Sequence, residues 1–341
     1  MGMFRLYNFQ QVLRIVKRPL ERTVGLKNYL HVHNLVRTMS QGRSGSKPPG
    51  RPRPSASLIV VNPRNEVLLV HRNPNAGSFA KAHVFPGGNY DSTQDDSLIV
   101  TAVRETFEET GLLLVSSRKG TLPNDHVLDE ARDAIHSRKL LLKDFLTQHE
   151  LDIDERFLLP ITQWVTPPTV PRRFHTQFYV VFLNAAGSIG FSSGDKEERL
   201  PTPDKSQEVI AARFVHPSAA IQEFKARKIA LFPPQFYLLT TLSDILQGLN
   251  NTPDQRASVE ELSRGPFGRM IINPRALPKD DQGRTTLTYE GDETRNGSPG
   301  RRHRSVITFT SGGLAANIDL QRNFDIFNEI EEHTFAQNAK L

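Results

Sequence analysis

The sequence contains no cysteine in 341 residues. Disulfide frameworks, thiolate zinc sites and cysteine nucleophiles are therefore excluded, and any catalysis must come from oxygen and nitrogen side chains or from a metal they hold. No apolar run approaches the roughly 20 residues that cross a bilayer, so no membrane partner is expected. There is no Gly-Lys dipeptide, which removes a phosphate-binding P-loop. Acids are nearly missing from the first 57 residues, which hold eleven Lys and Arg against Glu21 alone. The rest of the chain is slightly acidic, so the net charge of +6 describes a tail. A nucleic-acid-binding domain would carry its basic patch within the fold, so no nucleic-acid partner is expected.

A hydrophobic fraction of 37% and 20 Phe are enough for one large domain with appendages. The opening stretch mixes Phe4, Leu6, Phe9, Val12, Leu13 and Val16 with basic residues, then passes into a Gly-, Ser-, Pro- and Arg-rich linker. Residues 1–54 are read as a basic segment without fixed structure, 55–250 as the folded domain, and 251–341 as a β-containing C-terminal extension. Ser57–Val61 and Glu66–His71 flank Asn62-Pro-Arg-Asn65 and suggest a β-hairpin. Further strands are expected at Pro160–Thr166, Phe174–Leu183 and Glu208–Val215, and beyond residue 250 at Met270–Ile272, Thr285–Tyr289 and Ser305–Thr310. Helical periodicity marks Asp96–Thr110, Val127–His136, Leu140–Gln148, Ser218–Lys225 and Gln235–Leu249. This irregular alternation implies an α/β fold in which helices cover a mixed sheet.

The informative segment is Phe85-Pro-Gly-Gly88, a short acidic loop, then Arg104-Glu-Thr-Phe-Glu-Glu-Thr-Gly-Leu112. At about 100° per residue, Glu105, Glu108 and Glu109 share roughly a third of a helix circumference. Like charges at these spacings repel by a few tenths of a kcal/mol per pair. A solvated acidic face is the plain alternative, but the flanking Pro-Gly-Gly and Thr-Gly-Leu favour a cluster that a divalent cation neutralises. Hard carboxylate ligands on a rigid helix suit Mg²⁺ or Mn²⁺. Arg104 lies beside Glu108 on the helical wheel and can hold the carboxylates in place. Gly87 and Gly88 let the backbone pass close to metal or substrate.

These residues resemble the Nudix box, G-x5-E-x7-R-E-U-x-E-E-x-G-U with U aliphatic. Gly88, Arg104, Glu105, Glu108, Glu109, Gly111 and Leu112 match; the loop after Gly88 is two residues longer than the family spacing, so Asp96 stands where a Glu is usual, and Thr106 replaces an aliphatic residue. The resemblance implies a Nudix α/β/α sandwich around a mixed β-sheet, plus a helical insertion and the C-terminal extension. It also implies hydrolysis of a nucleoside diphosphate linked to X. Glu105, Glu108 and Glu109 would be the metal ligands, and Arg104 would belong with them to the catalytic set. Glu105 is a candidate general base, with Glu208 as a candidate from outside the box. His71, Arg72, Lys81 and His83 precede the box and are candidates to meet a phosphate; Arg72, with Gly87 and Gly88, is assigned to substrate binding.

Trp164-Val-Thr-Pro167, Arg173-Phe-His-Thr176, Glu208-Val-Ile-Ala-Ala-Arg-Phe214 and Leu231-Phe-Pro-Pro-Gln-Phe-Tyr237 are similar to the branch of peroxisomal coenzyme A diphosphatases of the nineteen type. That branch usually has Asp where this chain has His175, and Gly77 and Lys81 stand where the coenzyme A signature has Arg and Gly. The implied partner is a CoA-like nucleotide, with NADH or ADP-ribose as the alternative and an inactive Nudix-fold binding module as a third reading. Phe236 and Tyr237 could stack on an adenine, although aromatics in a helix usually belong to the core. Gly190-Phe-Ser-Ser-Gly194 matches a hydrolase elbow but lacks a following helix and is discarded. Ala339-Lys340-Leu341 resembles a peroxisomal import-receptor signal, while the Arg-rich start offers a mitochondrial alternative.

Overall fold

The computed structural model describes residues 50–75, 80–184 and 208–330. The basic N-terminal stretch, Gly77, the Gly190–Gly194 motif and Ala339–Leu341 lie outside the described residues. β1 (Arg53–Val61), β2 (Val67–Arg72), β3 (His83–Val84) and β4 (Gly87–Asn89) lead into α1 (Leu98–Thr110). The short β5 (Ser116–Ser117) precedes α2 (Asp125–His136) and α3 (Leu142–Gln148), and β6 (Leu151–Asp152) pairs back onto β5. β7 (Leu159–Val165), β8 (Phe174–Phe182), β9 (Val209–Val215), α4 (Pro217–Lys225) and α5 (Pro233–Ile245) follow. The C-terminal part holds α6 (Pro253–Arg264), α7 (Pro266–Arg269), β10 (Ile271–Ile272), β11 (Arg275–Ala276), β12 (Thr285–Thr288), β13 (His303–Phe309) and β14 (Ala315–Arg322).

The main sheet runs β10-β7-β8-β1-β2-β3, with β4 also on β1 and β9 on β2. β1 and β8 are parallel along their whole length, from Arg53 opposite Phe174 to Val61 opposite Phe182. β7 joins β8 and β9 joins β2 antiparallel, so the sheet is mixed as expected. Strand alternation decides the layers. Ala56, Leu58 and Val60 face α1, α2 and α3 through Val103, Phe107, Leu128 and Phe145. Ile59 and Val61 face the other way, onto Phe224 of α4 and Phe236 and Leu239 of α5. Burial on both faces is why β1 reads as a continuous apolar run. The result is the α/β/α sandwich.

The turn at Asn62–Asn65 forms, with Asn65 in the left-handed region at φ 58°. The expected hairpin does not zip up: β1 and β2 pair only at Val61 and Val67. Their ladders are satisfied elsewhere, by β8 and β4 for β1 and by β9 for β2. The Asn65 amide donates to the carbonyls of Gln247 and Asn250 at 3.1 and 3.0 Å, tying the turn to the segment after α5.

Beyond residue 250, β11 to β14 form a second, antiparallel sheet. Its inward residues Tyr289, Ile307 and Ile318 share one apolar cluster with Trp164 and Tyr237 of the sandwich. Helix α6 and strand β14 are additional to the elements expected from the sequence. Thr252 caps α6 in a reciprocal pair with Gln255, with Pro253 in the first turn. Among the described residues no helix is long and apolar enough to cross a membrane.

Candidate active site

Helix α1 starts where Ser97 accepts a hydrogen bond from the Val100 amide at 3.3 Å. It stops at Gly111, whose φ of 75° no β-branched residue tolerates easily. Ala102, Val103 and Phe107 are fully buried against the sheet. Thr106 also points inward, and its hydroxyl donates to the Ala102 carbonyl at 2.7 Å, so a polar residue stands in an aliphatic position with its hydrogen bond made within the helix. With its apolar stripe docked, α1 presents Glu105, Glu108 and Glu109 along one side towards the Gly87–Gly88 strand.

Arg104 anchors the group from within. Its Nε and Nη2 donate to the two Asp95 oxygens at 2.7 and 2.8 Å, and Nη1 reaches Glu105 and Glu108, both at 3.0 Å. Burial disfavours its charge, but the Asp95 hydrogen bonds and the carboxylates around it outweigh that and hold its pKa above the ordinary arginine value. Asp95 is the residue that sequence spacing missed. Asp96, expected to serve near the start of the helix, is exposed, whereas Asp95 is buried at 2% exposure. The chain turns inward at this point because the Gln94 and Asp95 amides both donate to the Asp91 carbonyl. Thr101 then secures the Asp95 carboxylate at 2.9 Å.

Glu109 is held from the opposite side. The Gly87 amide donates to its Oε2 at 3.1 Å and Arg72 Nη1 to its Oε1 at 2.5 Å. Arg72 Nη2 extends to Glu208 at 2.9 Å, so a residue at the start of β9 joins the cluster. Burial pushes the Glu105 carboxyl up to about 7; Arg104 opposes this, and Glu108 and Glu208 add to it. Burial likewise pushes Glu109 up to about 8 against the pull of Arg72, with Glu105 and Glu208 adding like charge. Arg132 of α2 donates to the Glu108 carbonyl at 2.8 Å and steadies the helix backbone.

Gly88 sits directly under Glu105. A Cβ there would fall 2.3 Å from the Glu105 Cδ, so only glycine leaves the carboxylate its place. At Gly87 a Cβ would meet the Ala56 carbonyl oxygen at 2.3 Å. Among the described residues, Asp95, Glu105, Glu108 and Glu109 pair with Arg72 and Arg104, with His136 at 3.5 Å from Glu108, and Glu208 also meets Arg72. Such a gathering of carboxylates, two of them pushed upward chiefly by burial, is the donor chemistry a divalent cation fits. Among the described residues no trio of acids or imidazoles already converges into a cage, since the carboxylates are turned onto the two arginines.

The other candidates separate from this cluster. His71 and His83 stack on each other at 4.2 Å, and alternation along β2 places them on the opposite sheet face from Arg72. Lys81 is exposed. His175 pairs with Gln163 at 2.6 Å. Phe236 and Tyr237 are core residues, 4% and 0% exposed, and offer no stacking platform.

Residues 93–242 match the family model described as the NUDT19 Nudix domain. A putative nudix hydrolase 7 of Caenorhabditis elegans is 29% identical over 57% of this chain and 61% of its own length. The acyl-coenzyme A diphosphatase NUDT19 of Xenopus laevis is 26% identical over 52% of this chain and 59% of its own. The chain thus spans about three fifths of each of these curated relatives. Among solved structures, a NUDIX hydrolase from Alicyclobacillus acidocaldarius superposes with a TM-score of 0.48 at 24% identity, covering 60% of this chain and 99% of that one. The box residues gathered on α1 lie within the segment that matches this family model, so this part of the chain is similar to Nudix domains of the NUDT19 branch.

Proposed function

We propose that the protein is a Mg²⁺- or Mn²⁺-dependent Nudix diphosphatase acting on CoA or acyl-CoA. The observation that carries the reading is the carboxylate cluster around α1, in which Arg72 and Arg104 hold the acids among the described residues and Gly88 leaves Glu105 its place. A bound divalent ion would be held by Glu105, Glu108 and Glu109, would neutralise a diphosphate and would polarise a water. Arg104 positions Glu105 and Glu108, and the Gly87 amide orients Glu109. Arg72, paired with Glu109 and with the exposed Glu208, would meet a phosphate oxygen. Glu105, beside the proposed ion, is the first candidate to accept a proton from the attacking water. Glu208 is the second candidate for that role. Water adds across the phosphoanhydride, giving a phosphopantetheine-type product and 3′-phospho-AMP.

The CoA assignment is supported by the name of the frog relative, an acyl-coenzyme A diphosphatase. Purified protein and Glu109→Gln are incubated with Mg²⁺ or Mn²⁺ and CoA, acetyl-CoA, a long-chain acyl-CoA, NADH, ADP-ribose and capped RNA, with products read by mass spectrometry. CoA cleavage that disappears in the variant is the expected result. Preferred cleavage of NADH or ADP-ribose would replace the substrate, and binding without turnover would make the domain a recognition module. Peroxisomal placement belongs to the same proposal; tagged protein that stays put when residues 339–341 are removed would refute it.

A further inference from the structure

We infer that Arg72 is the resident counter-cation of the carboxylate cluster and exchanges with the divalent metal at Glu109, so that guanidinium and metal occupy this carboxylate in turn. The inference rests on the metal-dependent reading above.

Both Glu109 oxygens are engaged, Oε2 by the Gly87 amide and Oε1 by Arg72. Gly87 cannot give way, because its backbone is part of the β4 ladder on β1. A cation that takes Oε1 on the side held by Arg72 displaces the arginine, because two positive charges compete for one carboxylate oxygen. Arg72 is built to be displaced. It grips each carboxylate through a single nitrogen, at 2.5 Å to Glu109 and 2.9 Å to Glu208, and its buried Nε has no hydrogen-bond partner among the described residues. Arg104 is anchored more firmly, since two of its nitrogens lie against the two oxygens of Asp95, which is 0% exposed in its side chain, and only its third reaches Glu105 and Glu108.

The released guanidinium has somewhere to go. Glu208, 53% exposed in its side chain, stays beside Arg72 because the Asn73 amide donates to the Glu208 carbonyl at 2.7 Å. An incoming diphosphate offers the same guanidinium a second anion. Substrate and metal then favour each other's binding, since each removes Arg72 from Glu109, and thermodynamic linkage makes the effect reciprocal.

The test is Mn²⁺ binding to the full chain without substrate, read from the free-ion EPR signal. Arg72→Met is compared with Arg72→Lys, and with Arg118→Gln, which removes the same charge from an exposed pair with Asp152. We expect Arg72→Met to bind Mn²⁺ about tenfold more tightly than wild type, the size of one well-placed ion pair. Arg72→Lys should fall between, and Arg118→Gln should match wild type. In parallel, the ¹⁵N Nε resonance that Arg72→Lys removes should shift when Mg²⁺ is added to wild type; it decides the matter if Arg72→Met does not fold. Wild-type Mn²⁺ binding with no gain in Arg72→Met, or a stationary Nε signal, overturns the exchange and leaves the metal reading intact. If none of the folded proteins binds Mn²⁺, the metal reading itself falls.

Discussion

Replacing Gly88 by alanine should silence the site while leaving the fold standing. The new Cβ would lie 2.3 Å from the Glu105 Cδ and 2.4 and 2.5 Å from its two oxygens. Carbon atoms rest at about 3.5–4.0 Å, so the carboxylate must retreat by more than about 1 Å. That retreat breaks the 3.0 Å contact with Arg104. Misplacing a catalytic group by about 1 Å costs on the order of 100-fold in rate. Glu105 is the far end of a flexible side chain, so stability should fall by less than about 1 kcal/mol. Gly87→Ala is the counterpart. Its Cβ would meet the Ala56 carbonyl oxygen at 2.3 Å and the Ser57 Cα at 2.6 Å, both in the backbone of β1. A central strand cannot step aside, and overpacking of this kind costs about 1–3 kcal/mol or more. Hydrolysis of CoA, as kcat/KM, and the urea midpoint of each variant give the two readouts. A Gly88→Ala protein that keeps its kcat/KM, or that loses stability as Gly87→Ala does, would refute the reasoning.

Asp95→Ala should cost about 3–5 kcal/mol, because it strips a buried guanidinium of its main partner; a thermal melt shows this as a clear drop in Tm. Asp96→Ala at the exposed neighbouring position should stay within about 0.5 kcal/mol, and equal losses in the two variants would contradict the assignment of Asp95. For pH, the buried His303 is the informative group. Burial holds its pKa down to about 3, whereas the unfolded chain takes up a proton near 6.5. Its stabilising contribution is therefore complete above pH 6.5 and is lost as the pH falls towards 3, roughly 2 kcal/mol of it by pH 5. The denaturant midpoint should fall less between pH 7 and pH 5 in His303→Gln than in wild type; identical pH slopes would exclude His303 as a source.

Helix α1 and its carboxylate face were legible because their pattern is local. Glu105, Glu108 and Glu109 declare themselves by spacing alone, and Arg104 by its position beside them. What spacing cannot carry is the path of an irregular loop. Counting back from Arg104 lands on Asp96, but the turn closed by Asp91 puts Asp95 inside. Arg72 and Glu208 are 136 positions apart and meet only because β9 lies against β2. The same limit explains the hairpin. Two apolar runs around a turn are a fair sign of pairing, yet each strand found a longer ladder with a distant partner. Helix α6 was missed because only Val259 and Leu262 supply its fully buried apolar contacts, too few to show a period. Its start signal, Thr252-Pro-Asp-Gln255, was present in the sequence.

The change of texture after residue 250 marks a boundary in composition, and one apolar cluster runs straight across it. Trp164 and Tyr237 stack their edges on Tyr289 at 5.3 and 5.7 Å, and the Tyr237 hydroxyl meets His303 Nε2 at 2.7 Å. The Glu290 carbonyl only accepts, so Nδ1 must carry the proton and Tyr237 must be the donor to Nε2. β7 depends on the same segment. Thr162 stands at φ 45°, costly for a β-branched residue, and its hydroxyl donates to the Met270 carbonyl at 2.8 Å, which also receives the Gln163 amide. A chain ending at Asn250 would expose two large aromatic side chains, orphan the Tyr237 hydroxyl and leave the Thr162 turn without its clamp. Burial of aromatics of this size contributes about 1.5–3 kcal/mol each, comparable in sum with the whole stability of a domain at roughly 5–15 kcal/mol. Residues 50–250 expressed alone should therefore show sloping, non-cooperative urea unfolding and lose near-UV circular dichroism, whereas residues 50–330 should unfold in one sharp step. A shortened chain with a cooperative transition near that of the longer one would mean that the sandwich closes without its extension, and that Tyr289 and His303 cover a core already complete.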